Sequence, residues 1–251
     1  MVLLLLRRNE VKMKKIDDLL NYKGLKIVQD SEGFCFSLDS VLLARFVTIN
    51  KAVKNIIDLG TGNAPIPLVL STRTDASIVG VEIQKKPFNL ALESTKLNNL
   101  ESQIKIINHD LKDVYKIVGR EQFDVTICNP PFFKLNKESH LNEIEYKRIA
   151  RHEITATLED VIKSASILLK NGGLLALVQR PERFVETIEL MKKYRIEPKR
   201  LQMVYPKMGR DANMFLIEGK KNGNPGLKIL GPLYAHNEDG SYSKEVLKFF
   251  E

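Results

Sequence analysis

The sequence contains few of the residues that bind metals or form disulfides. Its 251 residues include two cysteines, Cys35 and Cys128, and four histidines. The cysteines have no paired spacing, and the histidines form no His-x-x-Glu or His-x-x-x-His pattern. We therefore expect neither a disulfide framework nor a metal site. Cys128 lies in an apolar run, where a free thiol behaves as a small hydrophobic side chain.

Long hydrophobic runs are also missing. No apolar segment approaches the ~20 residues that a membrane-spanning helix needs. Residues 1–8 differ from a signal peptide because the apolar stretch is short, the arginines follow it, and no small-residue cleavage site comes next. Met13 is an equally good start, so the first dozen residues are expected to be a frayed tail or a start-site artefact. These features predict a cytoplasmic protein.

Negative charge is in the minority. The chain has 39 Lys and Arg against 31 Asp and Glu, a formal net charge of +8. This excess favours a polyanionic partner such as nucleic acid, because neutralised phosphates release their counterions. A merely basic protein fits the charge equally well. No lysine-rich tail is present, so any basic surface must be formed by the fold.

Between about residues 55 and 195 the sequence alternates between strand and helix patterns. The helix at 158–169 has one apolar stripe, a capping box at Thr157 and Asp160, and an expected end at Gly172-Gly173. Such alternation predicts an α/β fold, with a parallel sheet covered by helices on both faces. Strands are predicted at 55–59, 77–82, 104–107, 123–128 and 174–178, and helices at 66–70, 87–95 (buried face Phe88, Ala91, Leu92 and Thr95), 158–169 and 181–194.

The two ends of the chain follow other patterns. Residues 200–205 and 212–219 read as strands that pair antiparallel, because no helix fits between them. Residues 1–50 are expected to be an extension with one helix, at 38–47, packed on a main domain of residues 51–221. Residues 222–251 are rich in Gly, Asn and Pro and are expected to form an irregular tail.

Glycines and acids follow consecutive strands. Asp58-Leu59-Gly60-Thr61-Gly62-Asn63 reads as a strand, a tight turn and a helix start. A dinucleotide fingerprint would need a third glycine where Pro65 stands, which favours a ligand without phosphates. Glu82 ends the second strand, where an acid can accept bonds from ribose hydroxyls. Each residue alone would be an ordinary turn glycine or solvated carboxylate. Their order matches the pattern of S-adenosylmethionine-binding domains, with Ile83 after Glu82, and with Asp110 and Leu111 placed for an adenine.

The segment Asn129-Pro130-Pro131-Phe132 follows the fourth strand. It offers an amide oxygen, a stiffened backbone carbonyl and an aromatic face. Two acceptors bonded to a conjugated amine favour a pyramidal nitrogen whose lone pair faces an electrophile, so positioning supplies most of the effect. Phe132 can stack on a flat base, and a base in structured nucleic acid would have to be flipped out. The alternative is a rigid turn in which Phe132 and Phe133 cap the core.

The chain resembles class I S-adenosylmethionine-dependent methyltransferases that modify amino groups, and more closely the bacterial tRNA1(Val) adenine-N6 methyltransferase family. That resemblance implies a Rossmann-like, seven-stranded, mostly parallel sheet with the last strand antiparallel. It also implies methylation of an adenosine beside the anticodon of a tRNA, and makes residues 51–221 the methyltransferase domain. The motifs that carry it are Gly33-Phe34-Cys35-Phe36-Ser37-Leu38-Asp39-Ser40-Val41-Leu42-Leu43-Ala44, Asp58-Leu59-Gly60-Thr61-Gly62-Asn63, Gly80-Val81-Glu82-Ile83-Gln84, Asn129-Pro130-Pro131-Phe132-Phe133 and Ala150-Arg151-His152-Glu153.

A polar loop at 134–147 precedes Arg151 and is placed to close over a target base. Arg151 meets an RNA phosphate in this interpretation, and Phe133 also contacts the substrate. A charge cluster at a helix start is an equally good account of Arg151. Phe36 and Ser37 either line the methionine end of the cofactor or pack in the core.

Three other functions remain open from the sequence. Glutamine methylation of a release factor uses the same Asn-Pro-Pro-aromatic logic, but those enzymes have a longer N-terminal helical domain. Methylation of rRNA or DNA adenine is the second, although DNA enzymes usually add a target-recognition region. A non-catalytic RNA-binding protein is the third, and the intact Asn129 and glycine turn argue against it. The oligomeric state is left open.

Overall fold

A computed structural model of the chain describes residues 14–19, 24–30, 37–130 and 156–249. A central sheet is formed by β3 (Asn55–Leu59), β4 (Ser77–Glu82), β5 (Ile104–Asn108), β6 (Phe123–Cys128), β7 (Leu169–Gln179), β8 (Ile196–Tyr205), β9 (Met214–Lys221), β10 (Lys228–Ile229) and β11 (Leu233–Tyr234). An N-terminal hairpin pairs β1 (Lys14–Asp18) with β2 (Lys26–Asp30).

The sheet order is β10-β8-β9-β7-β6-β3-β4-β5, with β11 also paired to β8. All neighbours are parallel except β9, which is antiparallel to both β7 and β8. The seven long strands thus match the predicted α/β sheet with its last strand reversed. Within the described ranges, no helix is both long enough and apolar enough to span a membrane.

Helices cover both faces of the sheet, as the alternating pattern predicted. The helices are α1 (Leu38–Phe46), α2 (Pro65–Ser71), α3 (Lys85–Leu97), α4 (Tyr115–Val118), α5 (Leu158–Leu168), α6 (Phe184–Lys193) and α7 (Lys244–Leu247), with a 3-10 turn at Pro181–Arg183. One core lies between the sheet and α1–α3, and a second between the sheet and α4–α6. Ile56 faces the first core and Ile57 the second, because side chains alternate along a strand.

The predicted end of the helix at 158–169 is wrong. The capping box of Thr157 and Asp160 is present, but α5 ends at Leu168 and β7 begins at once with the buried Leu169. Leu169 pairs with Phe123 and Leu174 with Val125, so residues 170–173 bulge from the strand. Gly172 has a φ of +78°, a conformation that glycine adopts without strain. This glycine therefore allows the bulge in β7 and does not cap a helix.

The buried face of α3 agrees with the predicted one except at Leu92, because Ala91 and Thr95 are buried and Phe88 packs against the first core. Leu92 is 42% exposed, and the buried residues are Leu90, Ala91, Ser94 and Thr95. The buried face also includes Leu90 and Ser94 because the β1–β2 hairpin, which the sequence did not predict, packs against α3. Ser94 Oγ accepts a bond from Val28 N at 3.0 Å, so β2 packs along that side of α3.

The tail was predicted to be irregular beyond residue 221, and this is wrong for part of it. The short strands β10 and β11 both extend the sheet beside β8. α7 begins after Ser243, whose hydroxyl accepts a bond from Val246 N. Val246 and Leu233 are buried in the first core, which holds this segment against the sheet.

Candidate functional site

The strand order brings the predicted site residues to one edge of the sheet. β6, β3, β4 and β5 are parallel neighbours, so their carboxyl ends lie side by side. The segments that leave this edge carry Asn129, the turn 60–63, Glu82 and Asp110, in that order. Ligands of open α/β sheets bind at such an edge.

The turn after β3 is built around two glycines in the left-handed region. Gly60 has φ +74° and Gly62 has φ +58°, and a Cβ at either position would meet no atom within 4 Å. The N–H groups of Gly60 and Thr61 both donate to Val81 O at 2.9 Å. The turn is therefore anchored to β4 while space remains open above its glycines, as the close approach of a ligand requires.

Gly80 in β4 supports this turn from below. A Cβ at Gly80 would lie 2.9 Å from both Thr61 Cγ2 and Ile106 Cδ1. A larger residue would push the turn away from the sheet. Gly80 was not predicted as a site residue, although a glycine inside a strand marks a close approach of another segment.

Glu82 connects the end of β4 to the glycine turn. It is 6% exposed, and its carboxylate accepts from Gly62 N at 3.0 Å and from Gln84 N at 2.8 Å. Burial raises the pKa of Glu82, and the backbone N–H groups of Gln84 and Gly62 oppose that shift. One bond to each oxygen leaves further lone pairs for hydroxyl donors of a ligand.

Asp58 is the least compensated acid at the site. It is 1% exposed, and neither carboxylate oxygen has a hydrogen-bond partner in the described part of the chain. Burial raises the pKa of Asp58 to about 7; the hydroxyl of Thr61 opposes this shift, and the charge of Glu82 adds to it. A buried carboxylate without a partner is costly, which indicates that a donor or a cation completes this site.

Ile83 and Asp110 stand where β4 and β5 end. Ile83 is 40% exposed, an apolar surface beside polar groups. Asp110 accepts from Lys112 N at 2.9 Å and forms an ion pair with Lys112 Nζ at 3.3 Å, while Leu111 is half-buried against the second core. Asn108 was not predicted; its Nδ2 donates to the carbonyls of Glu82 and Ile83 at 2.8 and 3.0 Å and fixes this corner.

Asn63 has a role that the sequence did not reveal. Its side chain is 3% exposed, and its Nδ2 donates to Val28 O at 3.0 Å. Asn63 thus joins the glycine turn to β2, the second strand of the N-terminal hairpin. This contact could not be predicted because the hairpin itself was not predicted. Its first strand, β1 (Lys14–Asp18), is mostly charged and shows no alternation of apolar and polar residues.

Asn129 lies directly after β6, on the side of the sheet that faces α1. It is half-buried, and its Nδ2 donates to Ser40 Oγ at 3.0 Å. Its Oδ1 has no hydrogen bond in the described part of the chain, and the following Pro130 is buried. The other predicted substrate residues, Pro131, Phe132, Phe133 and Arg151, and also Phe36, lie outside the described residues.

These residues fit a nucleoside-containing ligand that brings donors and a positive charge. Glu82 can accept hydroxyl donors, Asp58 has no hydrogen-bond partner among the described residues, and the glycine turn leaves open space. Among the described residues, no group of three or more His, Cys, Asp or Glu side chains is arranged to hold a metal ion.

A family model described as the methyltransferase small domain matches residues 36–197. The chain belongs to this family. The match covers more than half of the chain and includes the glycine turn, Glu82, Asp110 and Asn129. The resemblance predicted from the motifs is thus confirmed at the level of a methyltransferase.

This methyltransferase is also similar to proteins with names or structures of their own. The tRNA1(Val) (adenine(37)-N6)-methyltransferase of Porphyromonas gingivalis is 28% identical over 246 residues, which cover 93% of this chain and 94% of the relative. A predicted O-methyltransferase from Agrobacterium tumefaciens has a TM-score of 0.67 at 23% identity, over 84% of this chain and 95% of that chain. Geranyl diphosphate C-methyltransferase from Streptomyces coelicolor, solved with S-adenosyl-L-homocysteine, has a TM-score of 0.54 at 11% identity, over 72% of this chain and 74% of that chain. The two structures confirm the Rossmann-like fold predicted for this methyltransferase.

Proposed function

We propose that the protein transfers a methyl group from S-adenosylmethionine to N6 of an adenosine in RNA, beside the anticodon of a tRNA. The observation that carries the proposal is the amide of Asn129, whose oxygen has no hydrogen bond among the described residues and lies at the same sheet edge as the open glycine turn. The choice of RNA is supported by the name of the Porphyromonas gingivalis relative and by the net charge of +8.

The residues at the edge of β3, β4 and β5 are proposed to hold the cofactor. Glu82 accepts from ribose hydroxyls, and Asp110 accepts from the adenine amine beside Ile83 and Leu111. Asp58, Gly60, Thr61, Gly62 and Asn63 form the floor beneath the methionine portion; Asp58 gains a positive charge there, which favours its ionised form. When bound, S-adenosylmethionine supplies a methyl group already activated by its sulfonium.

Asn129 and Pro130 are proposed to hold the amine that receives the methyl group. The Asn129 oxygen and the Pro130 carbonyl each accept one N–H of the target. These bonds favour a pyramidal nitrogen and aim its lone pair, so orientation rather than a strong base provides the rate. Pro131 stiffens the same loop, Phe132 and Phe133 stack on the flipped base, and Arg151 meets a phosphate.

The rest of the chain is proposed to support that reaction. Residues 51–221 are proposed to form the methyltransferase domain, with the described parts of residues 1–50 and 222–251 packed against it as extensions. If the substrate is a tRNA, the enzyme is proposed to act in the cytoplasm, where tRNAs serve translation.

Replacing Glu82 with alanine tests the cofactor end. Hydrogen bonds to a charged group contribute about 1.5–3 kcal/mol each, so S-adenosylmethionine is expected to bind about 10- to 100-fold more weakly. Isothermal titration calorimetry measures the affinity. The matched control is Glu93→Ala on the exposed side of α3, where the carboxylate forms an ion pair with Lys14. Equal affinities for the Glu82 variant and the wild type would show that the cofactor lies elsewhere.

The choice between RNA and protein is tested by supplying both. The protein is incubated with methyl-labelled S-adenosylmethionine and either total bacterial RNA or a purified unmodified release factor. We expect the label in RNA and, after digestion to nucleosides, in N6-methyladenosine. Label in the release factor instead would replace the proposal with glutamine methylation, and absence of label in both would reject it.

A further inference from the structure

The first turn of α1 lies directly against Asn129. Ser40 is 4% exposed, and its hydroxyl accepts the bond from Asn129 Nδ2 at 3.0 Å. The two residues are 89 positions apart in the chain, so only the fold brings them together. Within the described residues this is the hydrogen bond that the Asn129 side chain makes.

The other end of α1 is fixed by buried polar contacts. Arg73 donates to Ala44 O and to Val47 O, the latter at 3.1 Å. Thr48 donates from its backbone N and its hydroxyl to Glu218, at 2.6 and 2.9 Å. These contacts tie the C-terminal end of α1 to the segment after α2 and to β9, so the helix that carries Ser40 is fixed on the sheet.

A carboxamide has two ends of nearly the same shape, one an acceptor and one a donor. A serine hydroxyl can accept from the amide nitrogen or donate to the amide oxygen, so the bond to Ser40 restricts rotation of the carboxamide in either orientation. A substrate amine brings N–H donors and therefore requires the oxygen outward, and Ser40 then accepts from the nitrogen, as it does in the structure. Among the described residues, this arrangement leaves Oδ1 without a hydrogen bond, and Oδ1 is the end that an amine N–H can use. The opposite orientation would present two N–H donors to the substrate amine and could not hold it.

We propose that Ser40 is a positioning residue for methyl transfer, which holds the Asn129 amide with its oxygen toward the target amine. The inference rests on the proposed function, in which that oxygen accepts an N–H of the substrate. Ser40 itself touches neither the substrate nor the cofactor in this account. Its effect should therefore be confined to kcat and to the state of the Asn129 side chain.

Kinetics of three serine variants test the proposal. Ser40→Ala removes the hydroxyl, and kcat on tRNA is expected to fall about 10-fold, the size of one lost neutral hydrogen bond, while the Kd for S-adenosylmethionine stays unchanged. Ser40→Thr keeps the hydroxyl and should restore most of kcat. Ser166→Ala is the control. Ser166 lies on α5, on the opposite face of the sheet from α1, and its hydroxyl donates a comparable bond to Tyr194 O. An unchanged kcat in Ser40→Ala would overturn the inference, as would a threonine variant no better than alanine.

Nuclear magnetic resonance separates this inference from the proposed function. The side-chain amide signals of Asn129 are assigned by their absence in Asn129→Ala. We expect Ser40→Ala to shift these signals and speed their exchange with water, and Ser166→Ala to leave them in place. Signals unaffected by Ser40→Ala would refute the positioning role. A wild type that shows the expected amide behaviour but methylates no RNA would instead refute the proposed function.

Discussion

Replacing Asn129 with alanine is expected to lower the rate of methyl transfer to RNA by at least about 100-fold, comparable to the loss of one preorganised hydrogen-bonding group in other active sites. The substrate amine would lose the acceptor that holds one of its N–H groups, and its lone pair would no longer be aimed. Asn129 follows β6, whereas Glu82 ends β4 on the other side of β3. The affinity for S-adenosylmethionine should therefore stay within about 2-fold, below the effect of one lost hydrogen bond. Single-turnover kinetics and calorimetry measure the two quantities.

The control for this variant is Asn50→Ala. Asn50 is exposed in the turn that precedes β3, where its side chain accepts from Ala52 N at 2.9 Å. It lies at the opposite edge of the sheet, so its loss should leave both quantities unchanged. A large loss of cofactor affinity in Asn129→Ala would mean that the cofactor and substrate ends of the site have been exchanged.

Replacing Asp58 with asparagine is expected to change the pH dependence of stability. Burial raises the pKa of Asp58 from 3.8 to about 7, so between those values the folded protein holds a proton that the unfolded chain has released. The contribution is fully present below pH 4 and is lost as the pH rises through 7. Relative to the variant, the cofactor-free wild type should lose about 3 kcal/mol of unfolding free energy between pH 5 and pH 8.

Urea unfolding at the two pH values measures this difference. Asp113→Asn is the control: the Asp113 side chain is half-exposed, and its bond to Lys116 lowers its pKa. Asp113 is ionised at both pH 5 and pH 8. The difference in unfolding free energy between Asp113→Asn and the wild type should therefore be the same at the two pH values. An equal difference at pH 5 and pH 8 for Asp58→Asn would contradict the account of Asp58 as a buried acid without a partner.

The sequence predicted the parts of the site that depend on local pattern. The glycines of the turn, Glu82, Asp110 and Asn129 all follow strands whose apolar runs are plain, and parallel strands bring their carboxyl ends together without further information. Pro65, the first residue of α2, also argued against a dinucleotide fingerprint, in agreement with the methyltransferase family match. These features required only strand order and the chemistry of single residues.

Contacts between distant segments could not be predicted in the same way. Ser40 and Asn129, or Asn63 and Val28, meet only after α1 and β2 have packed on the sheet. The predicted end of α5 was wrong for a related reason. Strand pairing of Leu169 with Phe123 outweighs the local preference of Gly172 for a helix cap. Polar contacts of this kind leave no periodic signal in one sequence.

The most direct test of the central claim uses a tRNA transcript with adenosine immediately 3′ of the anticodon. The transcript is incubated with the wild-type protein and S-adenosylmethionine, digested to nucleosides and analysed by mass spectrometry, beside a matched transcript with guanosine at that position. The account predicts N6-methyladenosine from the first transcript and none from the second. No N6-methyladenosine from the first transcript, or equal amounts from both, would contradict it.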